Sequence, residues 1–205
     1  MAVAALLAAC GESSSDSDEQ AGTYRLEVTD ASFPSEQRLG QTTLLRLSLR
    51  NAGEETVPSA TVTFHVAGRE GEDSALPFGV HDPQAGLAMA DRPVWILAER
   101  YPRLAGSSRP AGAGTSNRRT FAFGPLQPGR TVTALWKLSA VRAGDWKVVY
   151  GVGAGLGAQV KAETPEGGAP GGTLPAKITA ELPETEVTDD GRVVEIQSGG
   201  GRGDG

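Results

Sequence analysis

Apolar and polar residues alternate along residues 128–152, and this alternation constrains the fold more than any other feature of the chain. Side chains of a strand point to opposite faces in turn, so the stretches on either side of Gly144 each predict a strand with one buried face. The buried face would consist of Val132, Ala134, Trp136 and Leu138, then Trp146, Val148, Tyr150 and Val152. Two of the three Trp residues lie here, which predicts the densest part of a core. Replacing Trp136 or Trp146 by alanine is expected to cost about 3–5 kcal/mol.

The same alternation recurs in other short segments, and Gly, Pro and Asn residues that favour turns separate them. The segments begin with Tyr24-Arg25-Leu26-Glu27-Val28 and continue at 45–49, 62–66, 174–182 and 193–196. Short strands at this spacing predict an all-β fold, namely a single immunoglobulin-like antiparallel β-sandwich over residues 24–197. Residues 153–157 predict a hairpin turn into a strand at 158–163, and Pro175 and Pro183 favour an edge strand.

The alternation of apolar and polar residues becomes irregular between residues 68 and 119, where Gly, Pro, Ser and charged residues dominate. A short apolar run, Val94-Trp95-Ile96-Leu97, is compatible with a strand. The span as a whole predicts a long loop insertion at one end of the sandwich. Long loops in compact domains are either functional or variable and solvated, so the insertion is either a recognition surface or an ordinary surface loop.

The N-terminus carries the chain's single cysteine, Cys10, directly after Leu7-Ala8-Ala9. Residues 1–9 are apolar, and small residues before a cleavage site are typical of a signal peptide. Residues 10–23 contain Ser and acidic residues with no base, which predicts a disordered linker that would span roughly 20 Å. Residues 198–205 predict a flexible Gly-rich tail.

The sequence Leu7-Ala8-Ala9-Cys10 resembles the lipobox of bacterial lipoproteins. In that family the cysteine receives a diacylglycerol and becomes the first residue of the mature protein, so the resemblance implies lipidation at Cys10. The chain departs from the family pattern because no Lys or Arg precedes the apolar segment. A second resemblance covers residues 45–57 and 124–150, which are similar to Ig-like, CARDB-like adhesion modules of bacterial surfaces. It implies an extracytoplasmic domain with an adhesive or protein-binding role and assigns no site residue.

Composition excludes several other classes of function. The net charge of −6 argues against nucleic acid, which requires a basic surface. No run of eighteen apolar residues exists, so no membrane-spanning helix is predicted. The two histidines, His65 in a predicted strand and His81 in the loop, are too few for a zinc site and have no cysteine partner. No catalytic residue, metal site or cofactor is therefore predicted.

Three weaker signals are interpreted as ordinary surface residues. Calcium needs only oxygen ligands, but neither the acids Glu70, Glu72 and Asp73 nor the pair Asp189-Asp190 follows a calcium-loop pattern. The tripeptide Arg202-Gly203-Asp204 matches an integrin-binding motif and is interpreted as a chance match.

The function predicted from these observations is a membrane-anchored extracytoplasmic lipoprotein. It would act as a non-catalytic binding or scaffolding module of the cell envelope, with a protein or an envelope polysaccharide as its partner. Two alternatives stay open at this point. One is an accessory subunit of an envelope transport or secretion system, docked through residues 68–119. The other is a hydrolase with a carboxylate site that the sequence does not reveal.

Overall fold

The structure is a computed structural model that describes residues 20–68, 77–80, 93–114, 119–181, 185–191 and 193–195. Within these ranges, no helix has the length and hydrophobicity that a membrane span requires. The strands are β1 (Gly22–Ser32), β2 (Glu36–Arg38), β3 (Thr42–Asn51), β4 (Thr61–Val66), β5 (Phe78–Val80), β6 (Trp95–Leu97), β7 (Arg103–Leu104), β8 (Ala113–Gly114), β9 (Thr120–Ala122), β10 (Thr131–Ala140), β11 (Gly144–Gly153), β12 (Val160–Glu163), β13 (Gly171–Thr179), β14 (Thr185–Val187) and β15 (Val193–Glu195).

The strands form two sheets that face each other, and the predicted all-β sandwich is confirmed. The first sheet has the order β12-β1-β3-β10-β6-β5, with β7 also paired to β10. The second has the order β2-β13-β11-β4-β9-β8. The core lies between them, where Phe64 of β4 meets Trp136 of β10 with ring centroids 5.0 Å apart. Most pairings are antiparallel, but three that involve edge strands, β1–β12, β13–β2 and β5–β6, are parallel.

The two halves of residues 128–152 belong to different sheets. β10 pairs with β3, and β11 pairs with β13 and β4, so the chain crosses the sandwich at residues 141–143. Trp136 is fully buried, as predicted. The prediction for Trp146 is confirmed only in part, because its ring packs against the core but is only partly buried near the start of β11. Its indole N–H donates to the carbonyl of Arg142 at 3.2 Å, and the Arg142 guanidinium lies 5.3 Å from the ring centroid.

The predicted hairpin after residue 153 is wrong. β12 pairs in parallel with β1, in the sheet opposite β11. Gly153 forms the last pair of the β11–β4 ladder with Thr61, and a Cβ on this residue would lie 2.4 Å from Thr61 Oγ1. The buried Ala154 follows, and its carbonyl accepts from the N–H of Ser59 at 3.0 Å. Beyond these contacts the chain leaves the second sheet and crosses to β1.

Pro175 lies in the part of β13 that pairs with β11 but not with β2, so its predicted edge position is confirmed. Pro183, for which the same position was predicted, lies outside the described residues. A separate two-stranded sheet, β14 with β15, follows β13 and includes the strand predicted near residue 193. The predicted signal peptide at residues 1–9, the part of the predicted linker at 10–23 that precedes residue 20, and the predicted tail at 198–205 lie outside the described residues. The last two linker residues, Gly22 and Thr23, belong to β1.

The span 68–119 is more closely integrated into the sandwich than a surface insertion would be. Its described part supplies β5, β6 and β7 to the first sheet and β8 to the second. Trp95 of β6 is fully buried, and its indole N–H donates to Gln37 Oε1 at 2.9 Å. The same ring contacts Phe33 edge-on at a centroid distance of 5.5 Å. The strand predicted at residues 94–97 is thus confirmed and forms part of the core.

Candidate binding groove

The sequence-predicted site residues do not converge in the structure. Cys10, His81, Glu70, Glu72, Asp73 and the tripeptide 202–204 lie outside the described residues. His65 lies on the outward face of β4 opposite Val149, as predicted. Asp190 accepts a hydrogen bond from the hydroxyl of Thr188, within a turn. Among the described residues, no three His, Cys, Asp or Glu side chains are grouped so as to hold a metal ion.

A groove of about 510 Å³ lies instead at the end of the sandwich where β10 begins. Three segments that are distant in sequence build it: the β3–β4 loop, the β9–β10 loop with the first residues of β10, and β7. Its lining combines apolar side chains with a few polar ones. The lining residues are Thr56, Ala60, Leu104, Phe123, Gly124, Pro125, Leu126, Gln127, Arg130, Thr131 and Val132.

Backbone hydrogen bonds hold the two loops together beneath the groove. Val57 and Leu126 exchange two N–H to carbonyl bonds, each 3.0 Å long. Ala60 and Phe123 extend this pairing, since the N–H of Phe123 donates to the Ala60 carbonyl at 2.8 Å. The β9–β10 loop turns through Gly124 and Gly129, whose φ angles of 78° and 70° fall where glycine is favoured. The loops therefore form a fixed wall with paired backbone groups.

The buried side chain of Asn51 holds the two loops of the groove together. Asn51 ends β3 and is fully buried. Its Nδ2 donates to the carbonyls of Glu55 and Leu126, both at 2.8 Å, and its Oδ1 accepts from the N–H of Gly53 at 2.9 Å. Buried carbonyls require such donors, because an unpaired one is costly. Asn51 thus fixes both loops of the groove at once.

Phe123 gives the groove an aromatic wall that is supported by the core. Its half-buried ring stands perpendicular to that of Trp136, with centroids 5.6 Å apart. Behind it lies Gly112, where a Cβ would come within 2.7 Å of the Phe123 ring. Edge-to-face contacts of this kind contribute about 0.5–1.5 kcal/mol beyond the area they bury. The wall is therefore rigid, which lowers the entropy cost of binding a ligand against it.

The groove lies at the end of the sandwich where the chain enters β1. β1 runs antiparallel to β3, and Leu26 lies opposite Asn51. The N–H of Ala52 donates to the carbonyl of Arg25 at 3.0 Å, which places the first residues of β1 beside the β3–β4 loop. Any tether that precedes Gly22 therefore leaves the domain from the end that carries the groove.

The chemistry of the lining suits binding. Within the described part of the chain, no His, Cys, Asp, Glu or Lys side chain lines the groove. A hydroxyl nucleophile such as Thr131 would need a positioned base, and the lining does not supply one. Apolar walls with an arginine and hydroxyl groups at the rim are suited to an extended ligand with both apolar and polar groups.

Sequence reasoning missed this groove. Residues 124–129 fall within the stretch that resembles adhesion modules, and that resemblance assigns no site residue. The one sequence signal for the groove is Asn51, which ends an apolar strand. A polar side chain on a buried face needs hydrogen-bond partners, so Asn51 predicts a loop that packs against it. Which partners it finds depends on the approach of a loop some 75 positions away.

No family model matches this sequence, and no curated protein matches it. Among solved structures, the CARDB domain of PF1109 from Pyrococcus furiosus is similar over 77% of this chain and 99% of that domain, with 10% identity and a TM-score of 0.42. AvmM, which catalyses macrocyclization in alchivemycin A biosynthesis, is similar over 78% of this chain and 90% of its own, with 11% identity and a TM-score of 0.42. Salmonella alpha-2-macroglobulin is similar over 78% of this chain and 7% of its own, with 12% identity and a TM-score of 0.40. Similarities of this size assign no family, and the sandwich rests on the strand pairing described above.

Proposed function

We propose that this protein is an extracytoplasmic lipoprotein of the bacterial cell envelope, anchored by a lipid on Cys10. The observation that carries the proposal is Leu7-Ala8-Ala9-Cys10, followed by a Ser-rich acidic segment that reaches the fold at Gly22. A single acyl chain gives only marginal membrane binding, whereas the diacylglycerol of a lipidated cysteine supplies two chains and a stable anchor. The short segment between Cys10 and Gly22 would keep the domain within roughly 20 Å of the bilayer.

The sandwich would act as a non-catalytic binding or scaffolding module. The groove that Phe123 lines supports this part, because its aromatic wall packs on the core and its lining, among the described residues, pairs no nucleophile with a base. Since the tether and the groove share one end of the domain, a bound segment of protein or envelope polysaccharide would lie close to the anchor.

The anchor is tested by replacing Cys10 with serine and fractionating cells after a high-salt wash, which removes proteins held by charge alone. We expect the parent protein in the membrane fraction and Cys10→Ser in the soluble one. Ser14→Ala, in the same segment, is the matched control and should stay with the membrane. Mass analysis of the N-terminal peptide should show the diacylglycerol on Cys10, and an unmodified peptide would refute the anchor.

The groove is tested with a photo-crosslinking residue at position 127, which lines it, and with one at position 173 on the outward face of β13 as a control. We expect position 127 to crosslink an envelope component in intact cells, and Phe123→Ala to reduce this product at unchanged protein level. Equal crosslinking from both positions, or none from position 127, would count against the groove as the binding site.

A further inference from the structure

The outward face of the first sheet carries more positive than negative charge. Its residues alternate with the buried ones along β1, β3 and β10, and β7 adds one more. With the edge strand β12 included, the cations among the described residues are Arg25, Arg46, Arg50, Arg103, Lys137 and Lys161, and the acids are Glu27, Asp30 and Glu163, the last opposite Arg25. Arg50 and Glu27 form an ion pair at 3.3 Å near the start of β10, so the excess of positive charge lies toward the other end of this face.

That other end also exposes apolar side chains. Leu44 of β3 is 46% exposed and lies beyond the last pair of the β1–β3 ladder, Ser32 with Arg46. It is opposite Lys137, while Leu135 is flanked by Arg46 on one side and Arg103 on the other. Ile96 of β6 lies beside the same part of β10. Leu44, Arg46, Ile96, Arg103, Leu135 and Lys137 are called the basic-apolar patch below.

The outward face of the second sheet differs. Lys177 of β13 lies directly opposite Asp145 of β11, and Glu36 of β2 lies on the other side of Lys177. Positive charge on that face is therefore interleaved with acids. The basic-apolar patch is a property of one face of this domain, and the other face provides a natural control.

We propose that the basic-apolar patch docks the domain onto an anionic bilayer surface. Lys and Arg side chains near such a surface are attracted to its negative potential, and exposed apolar side chains among them can enter the headgroup region. The choice of a bilayer over an acidic protein rests on the anchor proposed above, which keeps the domain near the membrane. The lipid on Cys10 would provide attachment, and the patch would orient the sandwich.

The test uses the full chain with Cys10→Ser, so that any binding is independent of acylation. It is sedimented with vesicles of phosphatidylglycerol mixed with phosphatidylcholine, and with vesicles of phosphatidylcholine alone. We expect binding to the anionic vesicles only, and we expect it to weaken with added salt, because salt screens exposed charges. The double substitution Arg46→Gln with Lys137→Gln should weaken this partitioning at least about tenfold.

Two further variants separate the patch from general charge effects. Leu44→Ser should weaken partitioning without changing the net charge. Lys147→Gln with Lys177→Gln removes the same charge from the other sheet and should bind like the parent. Thermal unfolding of each variant checks that the fold is kept, and exposed positions of this kind usually tolerate substitution.

Equal binding to neutral and anionic vesicles, or an equal loss in both double variants, would overturn the proposal. No binding to either vesicle would also overturn it, and would leave an acidic protein or a second copy of the chain as the occupant of the face. The mass of the N-terminal peptide tests the anchor separately, so a failed anchor and a failed patch give different results.

Discussion

Asn51 shows how one buried polar side chain can determine the shape of a surface. It terminates β3, and its amide bridges the β3–β4 loop to Leu126 of the β9–β10 loop. Asn51→Ala would remove one of two donors to the buried Leu126 carbonyl, which also accepts from the Val57 N–H, and the Nδ2 donor to the part-buried Glu55 carbonyl. We therefore expect the free energy of unfolding to fall by about 1–3 kcal/mol. Urea unfolding measures this loss. Gln127→Ala, an exposed change in the same groove, should stay within about 0.5 kcal/mol of the parent, and equal losses in both would contradict the role of Asn51.

Tyr150 gives the domain a pH dependence at the alkaline end. Its ring packs against Gly172, where a Cβ would lie 2.7 Å from the hydroxyl oxygen, and burial raises the pKa of Tyr150 above its ordinary value of 10.0. The folded state therefore keeps a proton that the unfolded chain loses above about pH 10. This contribution to stability is complete at neutral pH and declines as the pH rises through the folded-state pKa.

We therefore expect Tyr150→Phe to lose less stability than the parent between about pH 9 and pH 11. Urea unfolding of both proteins at the two pH values measures the free energy of unfolding. The loss between the two pH values is then compared, because the cost of removing the hydroxyl is the same at both and cancels. A parallel decline in both proteins would show that Tyr150 does not contribute.

At the scale of elements, β6 ties the span 68–119 to the core. Trp95→Phe would keep an aromatic ring in the core but remove the N–H that Gln37 Oε1 accepts, and Gln37 is itself buried. We expect a loss of about 1–3 kcal/mol in the free energy of unfolding. Trp95→Phe combined with Gln37→Leu removes both polar partners and should recover part of that loss. If the double variant were as unstable as the sum of the single ones, the hydrogen bond would not be the cause.

The strands could be predicted from sequence because alternation reports one buried face directly, as in β3 with Leu45, Leu47 and Leu49. The strands that pair with each of them could not be predicted, because an apolar face can be buried against the core from either sheet. This ambiguity explains the error at β12, and it explains why sequence left open that β10 and β11 lie in opposite sheets. Trp146 is less buried than predicted for a related reason: alternation does not reveal that a residue lies near the end of a strand, at the margin of the core.

At the scale of the whole molecule, overall composition conceals the arrangement of charge. The net charge of −6 describes an acidic chain, but nine of its 25 Asp and Glu residues fall in two short stretches, four in 12–19 and five in 184–195. The face that β1, β3 and β10 present is basic. Net charge was therefore a poor guide to the surface of the domain, and the argument against nucleic acid stays a prediction. The groove was equally hidden, because its three segments meet only after the sandwich has closed.

The strand order also predicts which end of the chain the sandwich can lose. The β14–β15 pair is a separate two-stranded sheet, and such pairs contribute little stability alone. β13, in contrast, pairs with the central strand β11 along Gly144–Gly151 and buries Ala176 and Ile178 in the core. Removing residues 182–205 should change the free energy of unfolding by less than about 1 kcal/mol.

Removing residues 171–205 should abolish the folded state, because β11 would lose a whole ladder and the core would lose one wall. Urea unfolding followed by far-ultraviolet circular dichroism distinguishes the two truncations. A large loss from the shorter truncation would mean that β14 and β15 pack on the sandwich and stabilise it. A folded product of the longer one would mean that β4 and β9 are sufficient to hold β11 in place.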